Sequence, residues 1–144
     1  MSKRHKELLT LRHRMGVEIS EAFNKLNDKA FEFFGEFDLT PQQYNVIAIL
    51  YEAGPQSTSD ILEWMLEKNA GVSRLVDRMI KKGLVRKEPN TLDRRLIKVN
   101  LTDRGKKLHE EISKEIHKIE EHSINLTEKE VEQLVALLIK FNMS

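Results

Sequence analysis

A mostly α-helical fold carrying a small two-stranded β-hairpin is what this 144-residue sequence predicts. Three observations predict it. Six Gly and three Pro are too few breakers for an all-β chain, and 40% hydrophobic residues are too many for a disordered one. Apolar residues recur at helical spacing through most of the chain. One stretch behaves differently: Ile97, Val99 and Leu101 alternate with Lys98 and Asn100, the period of two that marks a half-buried strand.

Each element follows in order. From Lys6 to Phe37 the apolar positions Leu8, Leu11, Met15, Ile19, Phe23, Leu26, Ala30, Phe33, Phe34 and Phe37 describe one long amphipathic helix, with Gly16 as its one point of weakness. Thr40 followed by Pro41 starts a second helix, apolar nearly all round from Val46 to Tyr51 and so expected to be central. Gly54-Pro55 ends it. Thr58 or Ser59 caps a short third helix. Asn69 caps a fourth that runs to about Lys82, with Gly83 as its left-handed stop. Strands follow at 84–88 and 95–101, joined through Pro89 to Leu92. Thr102 opens a long charged helix with a narrow stripe of Leu108, Ile112, Ile116 and Ile119. Thr127 to Glu130 form a capping box before a last helix with Val131, Leu134, Val135, Leu138 and Phe141 on one face. Trp64 and Tyr44 fall at helical spacing with other apolar residues and are expected in the core.

Composition excludes several classes of function. There is no Cys, which removes disulfides, thiolate zinc sites and thiol redox sensing. The first residues lack the apolar core of a signal peptide, and no apolar run approaches membrane-spanning length, so a cytoplasmic protein with no membrane partner is expected. No nucleophile elbow or phosphate-cradling glycine loop is present, so an enzyme is not expected, and no cofactor is implied. The net charge of +1 conceals an asymmetry. Residues 68–107 hold 13 Lys or Arg against 4 Asp or Glu, a local net of +9, and the remainder nets −8. A basic middle on an acidic scaffold suits a polyanion partner.

The fourth helix shows where that partner would sit. Val72, Leu75, Val76, Met79 and Ile80 follow inward spacing, which turns Ser73, Arg74, Asp77, Arg78 and Lys81 outward. Two helices, a tight turn and an outward face of Arg and Ser read as a helix-turn-helix, whose second helix enters the DNA major groove. A solvated basic face is the plainer alternative. The hairpin straight after it reads as a wing with Asp93, Arg94 and Arg95 at its tip. Arg94 suits a narrow minor groove, with Asp93 orienting it and Arg95 bracing the hairpin or meeting phosphate. Alternatively the acid and the arginines only stiffen the turn.

The stretches VSRLVDRMIKKGLVRK (72–87) and LDRRLIKVNLTDRG (92–105) resemble the MarR family, the multiple-antibiotic-resistance regulators. The family pattern is a V-x-R-x-V-D-x-L-like recognition helix, a K-K-G-L-V exit, a D-x-R or D-R-R wing tip and L-T-x-x-G before the next helix. The helix order extends the likeness over nearly the whole chain. The resemblance implies a winged helix-turn-helix core at 39–101 flanked by long dimerisation helices at 1–38 and 102–144, forming one interlocked unit. It implies a homodimeric transcription regulator, a repressor by family habit, on a pseudo-palindromic operator in double-stranded DNA. The long apolar stripes at both ends independently call for a further burial surface. Thr58, Asn69, Ser73, Arg74, Arg78, Lys81, Asp93, Arg94 and Arg95 are the candidate DNA contacts. In the resembling family small phenolic or aromatic anions often bind between the dimer helices and the winged domain. His13, Phe23 and Tyr44 are the candidate lining of such an effector cleft, and a ligand that releases DNA would have to bind the non-DNA-binding geometry better. Gly71 departs from the family pattern. Placed in the first helical turn it would cost up to about 1 kcal/mol against Ala and remove a base contact, shifting readout to Ser73, Arg74, Arg78 or DNA shape.

Two other readings stand beside this one. The helix after Thr102 holds His109, Glu110, Glu111, His117, Glu120, Glu121 and His122. His117 with a neighbouring Glu and His13 could form a regulatory metal site, but the pairs lack good ligand spacing, and a solvated charged helix accounts for them. A helical module whose basic face binds an acidic protein would explain the charge but not the wing.

Overall fold

The computed structural model describes residues 2–65, 71–89, 92–93, 96–121 and 125–143. It is mostly helical: α1 (Lys3–Lys6), α2 (Leu11–Gly35), α3 (Pro41–Ala53), α4 (Thr58–Trp64), α5 (Val72–Lys81), β1 (Val85–Pro89), β2 (Ile97–Leu101), α6 (Asp103–Glu115), α7 (His117–Glu120) and α8 (Glu128–Asn142). The chain divides into two compact units, Met1–Leu26 with Ile116–Ser144, and Asn27–Glu115.

The second unit holds every buried apolar side chain among the described residues. Val46, Ile47 and Leu50 of α3 meet Ile61, Val76, Met79, Val85, Val99, Leu101 and Ile112 in one core, and Phe33 and Phe34 of α2 close it. As expected, α3 is central, and it packs against α4, α5, β2 and α6. Its start is a full capping box: Thr40 Oγ1 accepts from the Gln43 N–H, and Gln43 accepts from the Thr40 N–H. Its outer side is less buried than the sequence suggested, since Tyr51 is exposed and Tyr44 half-buried.

β1 and β2 pair antiparallel, Val85 opposite Leu101 and Pro89 opposite Ile97. Alternation holds at the inner end, where Val99 and Leu101 are buried, while Ile97 at the outer end is exposed. A third partner was not foreseen. Gln56 and Val99 exchange both backbone hydrogen bonds, at 3.0 and 2.7 Å, which fixes β2 to the turn before α4. A two-stranded hairpin alone is marginal in water, and this bridge ties the ribbon to the body.

Several boundaries differ from expectation for local reasons. The N-terminal stretch is two helices, because Thr10 accepts from the His13 N–H and starts α2 afresh, and α2 then runs unbroken through Gly16. Ser57, not Thr58 or Ser59, caps α4, accepting from the Asp60 N–H. Trp64 is 64% exposed rather than core, because Ile61 and Met65, four residues apart, take the inner face. The helix after Thr102 ends at Glu115. A tightened bond from the Ile119 N–H to the Ile116 carbonyl then begins α7.

In the first unit no described apolar residue is buried. Leu11, Phe23 and Leu26 of α2, and Leu134, Val135, Leu137, Ile139 and Phe141 of α8, are all exposed. The α8 capping box is present as expected, with Thr127 and Glu130 reciprocally bonded. Lys6 donates to both Glu18 and Glu21, which pins α1 to α2 and raises the lysine pKa, chiefly through those hydrogen bonds.

Candidate nucleic-acid interface

The centre of the site is α5. Val72, Leu75, Val76 and Met79 are buried and Ile80 half-buried, and Ser73, Arg74, Asp77, Arg78 and Lys81 are exposed, as the spacing predicts. Arg74, Arg78 and Lys81 recur at intervals of four and three, so they share one outward stripe. Arg74, Arg78 and Lys81 form no hydrogen bond or ion pair with described residues. Asp77 on the same face pairs with Lys87 of β1 at 3.4 Å, which removes one negative charge from the stripe.

Gly71 is not in the first turn of this helix. It is the N-cap, in the left-handed conformation at φ 58° and ψ 54°, and as glycine it brings no side chain to cap the helix. A β-carbon resists that conformation, so glycine is the residue the geometry calls for rather than a loss in the helix interior. The first N–H groups of α5 therefore lack a side-chain acceptor from the cap. Asn69, the expected cap, lies outside the described residues. At the other end Gly83 is left-handed at φ 72°, as expected.

Thr58 is the first residue of α4 and is half-buried. On the wing, Asp93 is exposed and its carbonyl accepts from the Leu96 N–H at 3.0 Å. Arg94 and Arg95 lie outside the described residues. Behind the tip the ribbon is stiffened by Arg86 to Glu88 at 3.3 Å and by Asn100 donating to Glu88 at 3.3 Å.

The start of α6 fixes α5 from behind. Thr102 donates to the Gly83 carbonyl at 2.6 Å, its N–H bonds the Leu84 carbonyl at 3.0 Å, and its Oγ1 accepts from the Gly105 N–H at 3.1 Å. Gly105 is buried against the Leu84 carbonyl, where a β-carbon would overlap that oxygen. The close approach explains the glycine of the LTDRG stretch.

The three candidate effector residues are placed within their own units. His13 lines a shallow groove on α2 with Arg12, Gly16, Val17 and Ser20, and Phe23 is exposed on the same helix. Tyr44 stacks on Phe34 at 4.5 Å, and burial raises its phenol pKa against an opposing hydrogen bond with Ser113. Sequence reasoning missed its neighbour. His109 reads in sequence as one of a run of solvated charges, but it is buried, 4.0 Å from the Tyr51 ring and 6.0 Å from Tyr44. Desolvation lowers its pKa, with Glu52 and Glu110 opposing. Nδ1 has no hydrogen-bond partner. An i, i+3, i+4 pattern of Gly105, Leu108, His109 and Ile112 was the available signal. Among the described residues no group of three or more His, Asp or Glu could hold a metal, and no helix is long and apolar enough to cross a membrane.

The MarR family profile matches residues 39–97. The HTH-type transcriptional repressor MdtR of Bacillus subtilis is 33% identical over 96 residues, covering 67% of this chain and 62% of that protein. A mutant E. coli MarR complexed with operator DNA superposes with a TM-score of 0.81 at 26% identity, over 88% of this chain and 92% of that one. The Staphylococcus aureus MepR–DNA complex gives 0.75 at 26% identity, over 94% and 98%.

Proposed function

Because the chain belongs to the MarR family of transcription regulators, we propose that it binds double-stranded DNA sequence-specifically as a homodimer and represses transcription from a pseudo-palindromic operator. The observation that carries this reading is the two-faced α5, with its apolar side buried and Arg74, Arg78 and Lys81 exposed on one stripe. In the major groove such arginines pair bidentately with guanine, at about 1–3 kcal/mol of discrimination each. Ser73 would add a hydroxyl, the start of α5, whose Gly71 cap carries no side-chain acceptor, would offer N–H groups to phosphate, and Thr58 of α4 and Asp93 of the wing are further proposed contacts. Asn69, Arg94 and Arg95 complete the set by sequence.

The homodimer is supported by the first unit. Its apolar residues on α2 and α8 are exposed and it has no buried apolar residue among those described, so a second copy supplies the missing burial. A two-fold pair places two α5 helices about one DNA turn apart. Repression is supported by MdtR, a transcriptional repressor, operator binding by the MarR complex with operator DNA, and DNA binding by the MepR–DNA complex. Release by a small aromatic anion belongs to the same proposal, supported by ligand-bound relatives of the same fold. The role is that of a regulator and not an enzyme.

A binding selection from genomic fragments with purified protein tests the reading. Enrichment of a pseudo-palindrome is the expected result. Recovery of fragments without a shared sequence would remove the operator.

A further inference from the structure

A groove between the end of α5 and the start of α6 shares only Lys81 with the DNA reading. It has two adjoining lobes of about 390 and 300 Å³ that share Phe37, Arg104 and Leu108. One extends to Lys107 and Glu111 of α6, and the other to Lys81 and Lys82 at the end of α5. These sizes fall at the lower end of small-ligand sites, about 300–1,000 Å³.

Its charges are unevenly committed. Lys82 donates to the Asp38 carbonyl, stands 3.6 Å from the Asp38 carboxylate and reaches Gln43 Oε1 at 3.4 Å. That latch neutralises Asp38. Arg104, Lys107 and Lys81 have no hydrogen-bond or ion-pair partner among the described residues, and the one uncommitted carboxylate is Glu111. Three free cations against one carboxylate leave an excess of two positive charges along the two adjoining lobes, with Arg104 common to both. Cations converging on a concave surface focus the field on whatever anion enters.

We propose that this groove binds a small phosphate monoester. The dianionic phosphate matches the excess of two charges, and the Arg104 fork with the Lys107 and Lys81 ammonium groups supplies charge-assisted hydrogen bonds. Phe37 and Leu108 provide an apolar wall for the carbon skeleton. Glu111 at the far end accepts from a hydroxyl of the ester. The site shares Lys81 with the DNA-facing stripe, while Arg104, Lys107 and Phe37 are not among the DNA-facing residues.

The test is an NMR titration of the full-length ¹⁵N-labelled protein with inorganic phosphate and with ribose 5-phosphate. The expected result is saturable shifts at the Gly83, Arg104 and Lys107 amides, with the ester binding more tightly than phosphate. Arg104→Gln and Lys107→Gln should each weaken the ester by about tenfold or more, the worth of one charged hydrogen bond. Both side chains are exposed, so thermal unfolding should not change. Non-saturating shifts, or equal titrations in wild type and both variants, overturn the site. A duplex that abolishes the phosphate titration, together with weaker duplex binding by Arg104→Gln, would assign these cations to the DNA backbone and overturn it as well.

Discussion

Gly105 of α6 lies against the carbonyl oxygen of Leu84, so close that a β-carbon there would overlap it, with Leu101 Cδ2 a further 3.1 Å neighbour. Backbone cannot yield as a flexible side chain can. Gly105→Ala should therefore destabilise the protein by about 1–3 kcal/mol, the usual range for overpacking, read as a lower urea midpoint. Gly16, with open space around it in the middle of α2, is the contrast. Gly16→Ala should gain up to about 1 kcal/mol from helix propensity. Equal effects at the two sites would contradict the packing described.

Gly71 tests the conformation at the start of α5. Its φ of 58° costs an alanine about 1–2 kcal/mol, and asparagine tolerates it better. Gly71→Ala should weaken both stability and operator binding, and Gly71→Asn should recover most of each. A Gly71→Ala protein as stable as wild type would show that the left-handed cap is not needed.

The outward stripe makes a separable prediction. Arg74→Ala and Arg78→Ala should each lose about 1–3 kcal/mol of operator affinity while leaving the unfolding midpoint unchanged, because both side chains are exposed. Loss of stability in step with affinity would assign them a structural role.

His109 gives a pH dependence with a definite sign. Its folded pKa lies below the ordinary 6.5 because burial disfavours the imidazolium. Between those two values the unfolded chain holds more protons, so stability rises with pH there and is lost as pH falls toward the folded pKa. Above 6.5 the contribution is complete. His109→Phe should flatten this part of the stability profile between pH 5 and 7, measured by urea melts. An unchanged slope would place the titration elsewhere.

The exposed apolar face of α8 predicts the assembly. Leu137→Glu, at a position 65% exposed in the single chain, should halve the mass seen by light scattering and abolish operator binding with little loss of helicity. A dimer that survives would move the interface away from this face.

Much of this was legible in the sequence because it rests on local rules. The N-cap at Thr40, the capping box at Thr127, the two faces of α5 and the stop at Gly83 each depend on residues within a turn of one another. What was not legible depends on distant partners. Gln56 joins β2 through backbone atoms alone, which no side-chain pattern announces. His109 reads as one more charge in a polar helix until α3 brings Tyr51 and Tyr44 to it. Trp64 reads as core until Ile61 and Met65 take the inner face. Gly71 reads as a weak helix residue until its φ is known. In the candidate site, the helix face could be deduced, but the Lys87 partner of Asp77 and the Thr102 tie to Gly83 needed the fold.

The central claim is that α5 and the wing read a DNA sequence. Its most direct test is the affinity of the wild-type protein for the enriched pseudo-palindrome against a scrambled duplex of equal length, across a salt series. A preference of about a thousandfold or more is expected, with both affinities falling steeply as salt rises. Equal affinity for the two duplexes at every salt concentration would contradict it.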